Sequence, residues 1–403
     1  MISDLSELGL LLFVSAIVAI VTRRLRMPYT VGLVLAGIGL YFLPSHLDLQ
    51  LSRELVFSVF LPPLVFEAAL YISWRELRQD LLLIGSLATV GVLLAAAVTA
   101  IGMHYAVGWS WAGASVFGIL ISATDPVSVI ATFKEAGMRG RLRLLVEAES
   151  LLNDGTAAVG FVVVLGLVSG SHSGPLSAGI NFLLTFAGGV LCGIIAGFAL
   201  RLFSSHTDDR VVAMIFTGLA AYGSFFLAEH FRWSGVLASL TAGLMTGSFG
   251  RSRSPESGGR EQLEFFWDCV AFVVNSLIFL LIGARVAQQH FGAAWFAVLV
   301  AIALVTLGRA VAIYPLCALF GRGELKVPVR HQHVLFWGGL RGALALALAL
   351  GLPQDLPQHD DIVTVSFAVV AFSIFAQGLT MRPLLTRVGE LNGKRLTSAK
   401  TAA

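Results

Sequence analysis

Between residues 8 and 385 the chain is a succession of apolar stretches, most of them long enough to cross a bilayer as a helix. About 20 apolar residues suffice for that, because hydrocarbon offers the backbone no partner and a helix satisfies its own N–H and C=O groups. Only 13% of the residues are charged and 57% are hydrophobic, whereas a soluble domain carries about 25% charged residues. A membrane β-barrel would instead show segments of about ten residues that alternate in hydrophobicity. The chain is therefore expected to be an all-α polytopic membrane protein, a single integral membrane domain over 1–403.

Thirteen candidate spans lie near residues 8–22, 29–43, 55–72, 81–105, 112–134, 142–169, 180–203, 211–229, 234–249, 264–288, 293–320, 331–351 and 362–385. Charge placement tests the count, since cytoplasmic loops collect Lys and Arg. Of the 27 basic residues, 22 fall in alternate connections or the tail: Arg23, Arg24 and Arg26 after span 1, Arg75 and Arg78 after span 3, and so on to the C-terminus. One span more or fewer would scramble that alternation. The expectation is an N-terminus outside and a C-terminus in the cytoplasm of a cell that holds this multi-pass protein in its plasma or inner membrane. The net charge of +3 follows from the same bias and implies no nucleic-acid partner. Acidic residues precede the first apolar run and basic ones follow it, the reverse of a secretory signal, so an uncleaved first helix is expected. A short basic tail after span 13 leads us to expect no soluble regulatory domain. The Gly/Ser/Arg-rich stretch 247–261 reads as a loop. Cys192, Cys269 and Cys317 lie in three different spans without metal or redox spacing and read as small core residues. His331 and His333, two apart on a helix, do not share a face. No resident metal, no cofactor and no enzymatic chemistry are expected.

A faint repeat runs through the chain. TVGLVLAGIGL (30–40, span 2) aligns with VLASLTAGLMT (236–246, span 9), placing Ala36-Gly37 on Ala242-Gly243. An offset of seven spans inverts the second copy, the arrangement of many secondary transporters. The same offset joins two spans with breakers at their centres. Span 5 carries SATDPVS (122–128), where Pro126 removes a backbone donor. Span 12 carries WGGLRGA (337–343), with three glycines around Arg341. Matched broken helices point to a transport site.

Charged side chains within spans are costly, and they mark ion paths or internal pairs. Glu67, Asp125, Glu149 and Asp154 are such acids; Arg309 and Arg341 are such bases. Ser150 and Asp154 share one edge of span 6, Glu149 and Asn153 the next. Beside the break in span 5, Asp125, Thr124 and freed carbonyls offer oxygen ligands suited to a hard cation such as Na⁺. Glu149 and Arg341 are long enough to pair across helices.

FLPPLVFEAAL (60–70), TDP (124–126), AESLLNDG (148–155) and GGLRGA (338–343) together resemble the signature segments of the sodium/proton exchangers, in the NhaP-like branch of monovalent cation:proton antiporters. The resemblance implies thirteen helices in an inverted-repeat fold, assembled as a homodimer. Its interface part would cover roughly 1–80 and 205–290 and its ion-binding core roughly 81–170 and 292–388. By the same resemblance Asp154 is the carboxylate that binds Na⁺ (or Li⁺) and H⁺, with Asp125, Thr124 and Ser150 helping to hold the cation and Glu67 approaching from the interface side. Asn153, Glu149 and Arg341 would hold the core together. Electrogenic relatives carry a second Asp where Asn153 stands, so one cation is expected to exchange for one proton. The residues leave alternatives open: a K⁺/H⁺ antiporter on the same fold, a cation channel (although no filter of repeated carbonyl loops is visible), or a membrane receptor or structural protein.

Overall fold

The computed structural model describes residues 2–25, 27–42, 51–125, 127, 129, 130, 133, 138, 140–170, 174–204, 206, 209–250 and 259–390, and among them every regular element is helical. In chain order these are α1 (Ile2–Leu25), α2 (Tyr29–Tyr41), α3 (Leu55–Leu70), α4 (Trp74–Val107), α5 (Trp111–Leu120), α6 (Arg141–Val168), α7 (Pro175–Ser204), α8 (Arg210–His230), α9 (Gly235–Gly250), α10 (Gly259–Gln288), α11 (Phe291–Leu319), α12 (Val329–Trp337), α13 (Ala343–Leu350) and α14 (His359–Val388). Among the described residues eight helices are long and apolar enough to cross a membrane. That criterion stops short of the thirteen expected spans because α2, α3 and α9 are short, and because spans 5 and 12 are each interrupted at mid-length.

Local chemistry explains several details. Pro63 offers no N–H to the carbonyl of Val59, and the Tyr222 hydroxyl donates to that oxygen at 2.8 Å. Upstream, Leu55–Phe60 widens into a π-helical turn. Further π turns occupy Leu87–Gly91 and Met103–Val107 in α4 and Ser373–Gln377 in α14, and such turns gather at functional sites.

In a bilayer lipid tails are as apolar as leucine, so helices associate where small residues let backbones touch. Helix α2 lies on α10 this way: a Cβ at Gly37 would strike the carbonyl of Leu280, and one at Gly283 the carbonyl of Val34. Helix α9 lies on α3 in the same manner, through Gly243 against Phe66 and Gly247 against Leu70. Moving spans 2 and 10 by the seven-span offset turns the first contact into the second, so the inverted repeat proposed from the sequence appears as a repeated packing. Helices α4 and α11, which the offset exchanges, pack on each other at Gly308 and Ala95.

Helices α1–α3 and α8–α10 pack among themselves, with α7 against α9. Helices α4–α6 and α11–α14 surround the two breaks, and α6 also touches α3 and α9. Cys192 and Cys317 are buried, but Cys269 is exposed on α10, which corrects the expectation that all three are core residues: it stands on an open part of the surface beside Met214 of α8 and Phe265 and Phe266 of its own helix. Pro126, most of loop 247–261 and the tail beyond 390 lie outside the described residues.

Candidate functional site

Helix α5 ends at Leu120, and Ile121–Asp125 runs as irregular backbone. The equivalent interruption, Gly338–Gly342, separates α12 from α13. The two interruptions meet. The backbone N–H of Asp125 donates to the carbonyl of Leu340 at 2.8 Å. The Arg341 guanidinium donates to the carbonyls of Ser122 and Ala123 at 2.7 and 3.1 Å, placing positive charge on carbonyl oxygens that the end of α5 leaves without intrahelical partners. Asp125 performs the opposite service: its Oδ1 accepts the N–H of Val127 at 2.9 Å, in the manner of an N-cap. Gly342 has no side chain for a steric reason, since a Cβ there would overlap the Asp125 carboxylate. The Arg341 backbone N–H donates at 2.7 Å to Ser373 Oγ, which itself donates at 2.7 Å to Gln377 Oε1. The π turn of α14 thus supports the crossing, a contribution the sequence did not signal.

Helix α6 brings its two edges to this crossing. On one edge Thr124 Oγ1 donates to Ser150 Oγ at 3.2 Å, and the Thr124 backbone N–H faces the Asp154 carboxylate. On the other, Asn153 Nδ2 donates to Glu149 Oε1 at 3.3 Å. The pairing expected for Glu149 is corrected: its partner is Arg309 of α11, not Arg341. Arg309 Nη1 and Nη2 reach Glu149 Oε1 and Oε2 at 2.7 and 2.8 Å, and Nη2 also donates to the Leu335 carbonyl at 3.0 Å. With Glu149 1% and Arg309 6% exposed, this is a buried bidentate pair joining α6, α11 and α12. Arg341 is instead occupied by the carbonyls of the crossing. Gly339 makes room for the pair, because a Cβ there would strike the Arg309 side chain.

A cavity of about 790 Å³ reaches this place. One wall holds Thr124, Asp125, Asp154 and Gly342; the other holds Glu67 of α3 and Asp268, Phe272 and Asn275 of α10, with Arg23 and Arg382 also on the lining. Glu67, Asp125 and Asp154 are all half-buried. Ser150 and Asn153 are 1% exposed and do not line the cavity. The structure therefore gathers Glu67, Thr124, Asp125 and Asp154 at one cavity, keeps Ser150 one hydrogen bond away, and sets Glu149, Arg309, Asn153 and Arg341 off its lining, each engaged in hydrogen bonds.

The family model described as sodium/hydrogen exchanger, transmembrane, matches residues 10–387. The chain belongs to the sodium/hydrogen exchanger family. It is 36% identical to the low-affinity Na⁺/H⁺ antiporter NhaS1 of Synechocystis, across 95% of this chain and 74% of that one. It is 34% identical to the Na⁺/H⁺ antiporter NhaH of Halobacillus aidingensis, across 95% and 97%. The fold is that of the sodium proton antiporter MjNhaP1 of Methanocaldococcus jannaschii, with a TM-score of 0.78 at 19% identity over 96% of this chain and 99% of that chain.

Sequence reasoning on this exchanger-family chain missed the α10 wall. Asp268, Ala271, Phe272 and Asn275 all line the cavity, and they recur at the i, i+3, i+4, i+7 spacing of one helix face. That spacing, carrying two polar residues into an apolar span, was the available signal.

Proposed function

We propose that this protein exchanges Na⁺ for H⁺ across the membrane, one for one, with both ions binding in turn at Asp154. The observation that carries the proposal is the Asp154 carboxylate, half-buried and open to a cavity, beside the crossing of two broken helices. A cation arriving there meets carboxylate oxygens of Asp154 and Asp125 and the hydroxyl of Thr124, with Ser150 behind it and Glu67 on the facing wall. These hard oxygen donors replace part of a hydration shell. Because one carboxylate serves both ions, protonation releases the cation and cation binding requires loss of the proton; coupling needs no second device. Asp125, which accepts the N–H of Val127, balances charge without exchanging its proton.

Arg23, at the end of α1, and Arg382, near the end of α14, line the cavity and lie on the side that the positive-inside bias assigns to the cytoplasm. The cavity then opens inward. Movement of the core (81–170 and 292–388) against the interface part (1–80 and 205–290), held in a homodimer, would expose Asp154 to the other side. The names of the curated relatives favour Na⁺ over the K⁺ alternative.

The test uses proteoliposomes carrying a pH gradient, to which Na⁺, Li⁺ or K⁺ is added. Dissipation by Na⁺ and Li⁺ with little response to K⁺ is expected. Asp154→Asn should abolish it while leaving the detergent elution profile and melting curve unchanged. Substantial Na⁺-driven proton movement by that variant would refute the shared site.

A further inference from the structure

Asn275 stands in the apolar run CVAFVVNSLIFLLIG (269–283) of α10. Its polar neighbour Ser276 is fully engaged, donating to the Phe272 carbonyl and lying 2.7 Å from the Tyr29 hydroxyl. The Asn275 amide forms no hydrogen bond to any described residue. An amide oxygen and NH₂ both take hydrogen-bond partners, and this half-buried side chain meets them in the space it faces. That space is the cavity it shares with Asp154, Asp125 and Glu67.

The orientation of α10 at this level is held from two directions. Phe272 stacks on Tyr29 with ring centroids 5.3 Å apart, and about three turns further on Gly283 lies against the backbone of α2. Asn275 is thus carried on a firmly packed wall, opposite the broken helices. An amide oxygen is a cation ligand that carries no proton in the physiological range. It can therefore contribute cation affinity without competing for H⁺, which no carboxylate in the cavity can do.

We propose that Asn275 is a cation-positioning residue of the facing wall, its Oδ1 joining the coordination shell of the monovalent cation that approaches Asp154. This rests on the exchange activity proposed above. The residue sets how tightly the cation is held, and leaves the titration of the site unchanged.

The experiment measures the Na⁺ dependence of gradient dissipation in proteoliposomes, at two pH values, for the wild-type protein, Asn275→Ala and Asn275→Asp. Asn275→Ala is expected to raise the half-saturating Na⁺ concentration by about tenfold, equivalent to about 1.4 kcal/mol of binding, by the same factor at both pH values, with the maximal rate kept. Asn275→Asp restores an oxygen ligand and should recover the affinity, but with a pH dependence that differs from wild type because the new ligand titrates. Unchanged half-saturation in Asn275→Ala, or a fall in maximal rate alone in both variants, would overturn the proposal while the wild-type exchange still stands. Absence of Na⁺-driven exchange in the wild-type protein would instead overturn the activity itself, and this inference with it.

Discussion

At the scale of single residues, the charges of the membrane interior divide into those that face the cavity and those that brace it. Glu149 and Arg309 are buried together and satisfy one another with two short hydrogen bonds. Removing one partner of such a pair leaves an uncompensated charge and costs about 3–5 kcal/mol. Glu149→Ala and Arg309→Ala are each expected to lower the melting temperature in detergent. The double variant should lose less than the sum of the two, because contacting residues are not additive. Strict additivity would break the assignment. Arg341 lies outside this pair and holds the Ser122 and Ala123 carbonyls. Its loss should therefore disturb exchange more than a Glu149 substitution disturbs it at equal stability. The sequence revealed both arginines as charges needing partners, but either of them could have paired with Glu149. Only the approach of α11 to α6 chose between them.

At the scale of elements, glycine placement carries the packing. Gly37 and Gly39 lie two residues apart on α2, yet a Cβ on the first would meet the Leu280 carbonyl whereas the second has open space within 4 Å. Gly37→Ala is expected to lower the melting temperature markedly, since backbone cannot yield as a flexible side chain can. Gly39→Ala should be neutral or slightly stabilising, because alanine in a helix interior is favoured over glycine by about 0.5–1 kcal/mol. Equal effects of the two substitutions would refute the close α2–α10 contact. The breaks in spans 5 and 12 were legible as Pro126 and as the glycines around Arg341. The π turn at Ser373–Gln377 was not, for a helix that widens by one residue contains no breaker, and SIFAQ carries neither glycine nor proline.

At the scale of the whole molecule, stoichiometry becomes a measurable property. With Asn153 neutral and turned to Glu149, and Asp125 occupied as a helix cap, one proton is expected to move for each cation. The exchange rate should then be indifferent to a K⁺ diffusion potential set with valinomycin across Na⁺-loaded proteoliposomes. A rate that follows the sign and size of that potential would mean a second proton per cycle, with Asp125 as its carrier.

Hydrophobic length and charge placement determined, from the sequence alone, that this is a helical multi-pass membrane protein with an inverted repeat, two broken spans and acids near their breaks. Such properties are one-dimensional: a bilayer selects on apolar length, and a glycine or proline interrupts a helix wherever it stands. The tertiary structure decided what faces what. It set Arg309 rather than Arg341 on Glu149, brought Glu67 of α3 to the cavity of Asp154, and turned Asn275 of α10 toward the same space. These juxtapositions depend on the rotation of each helix about its axis and on which helix lies beside it. In lipid those choices are made by small-residue contacts and buried hydrogen bonds between segments far apart in the chain, and no hydropathy pattern encodes them.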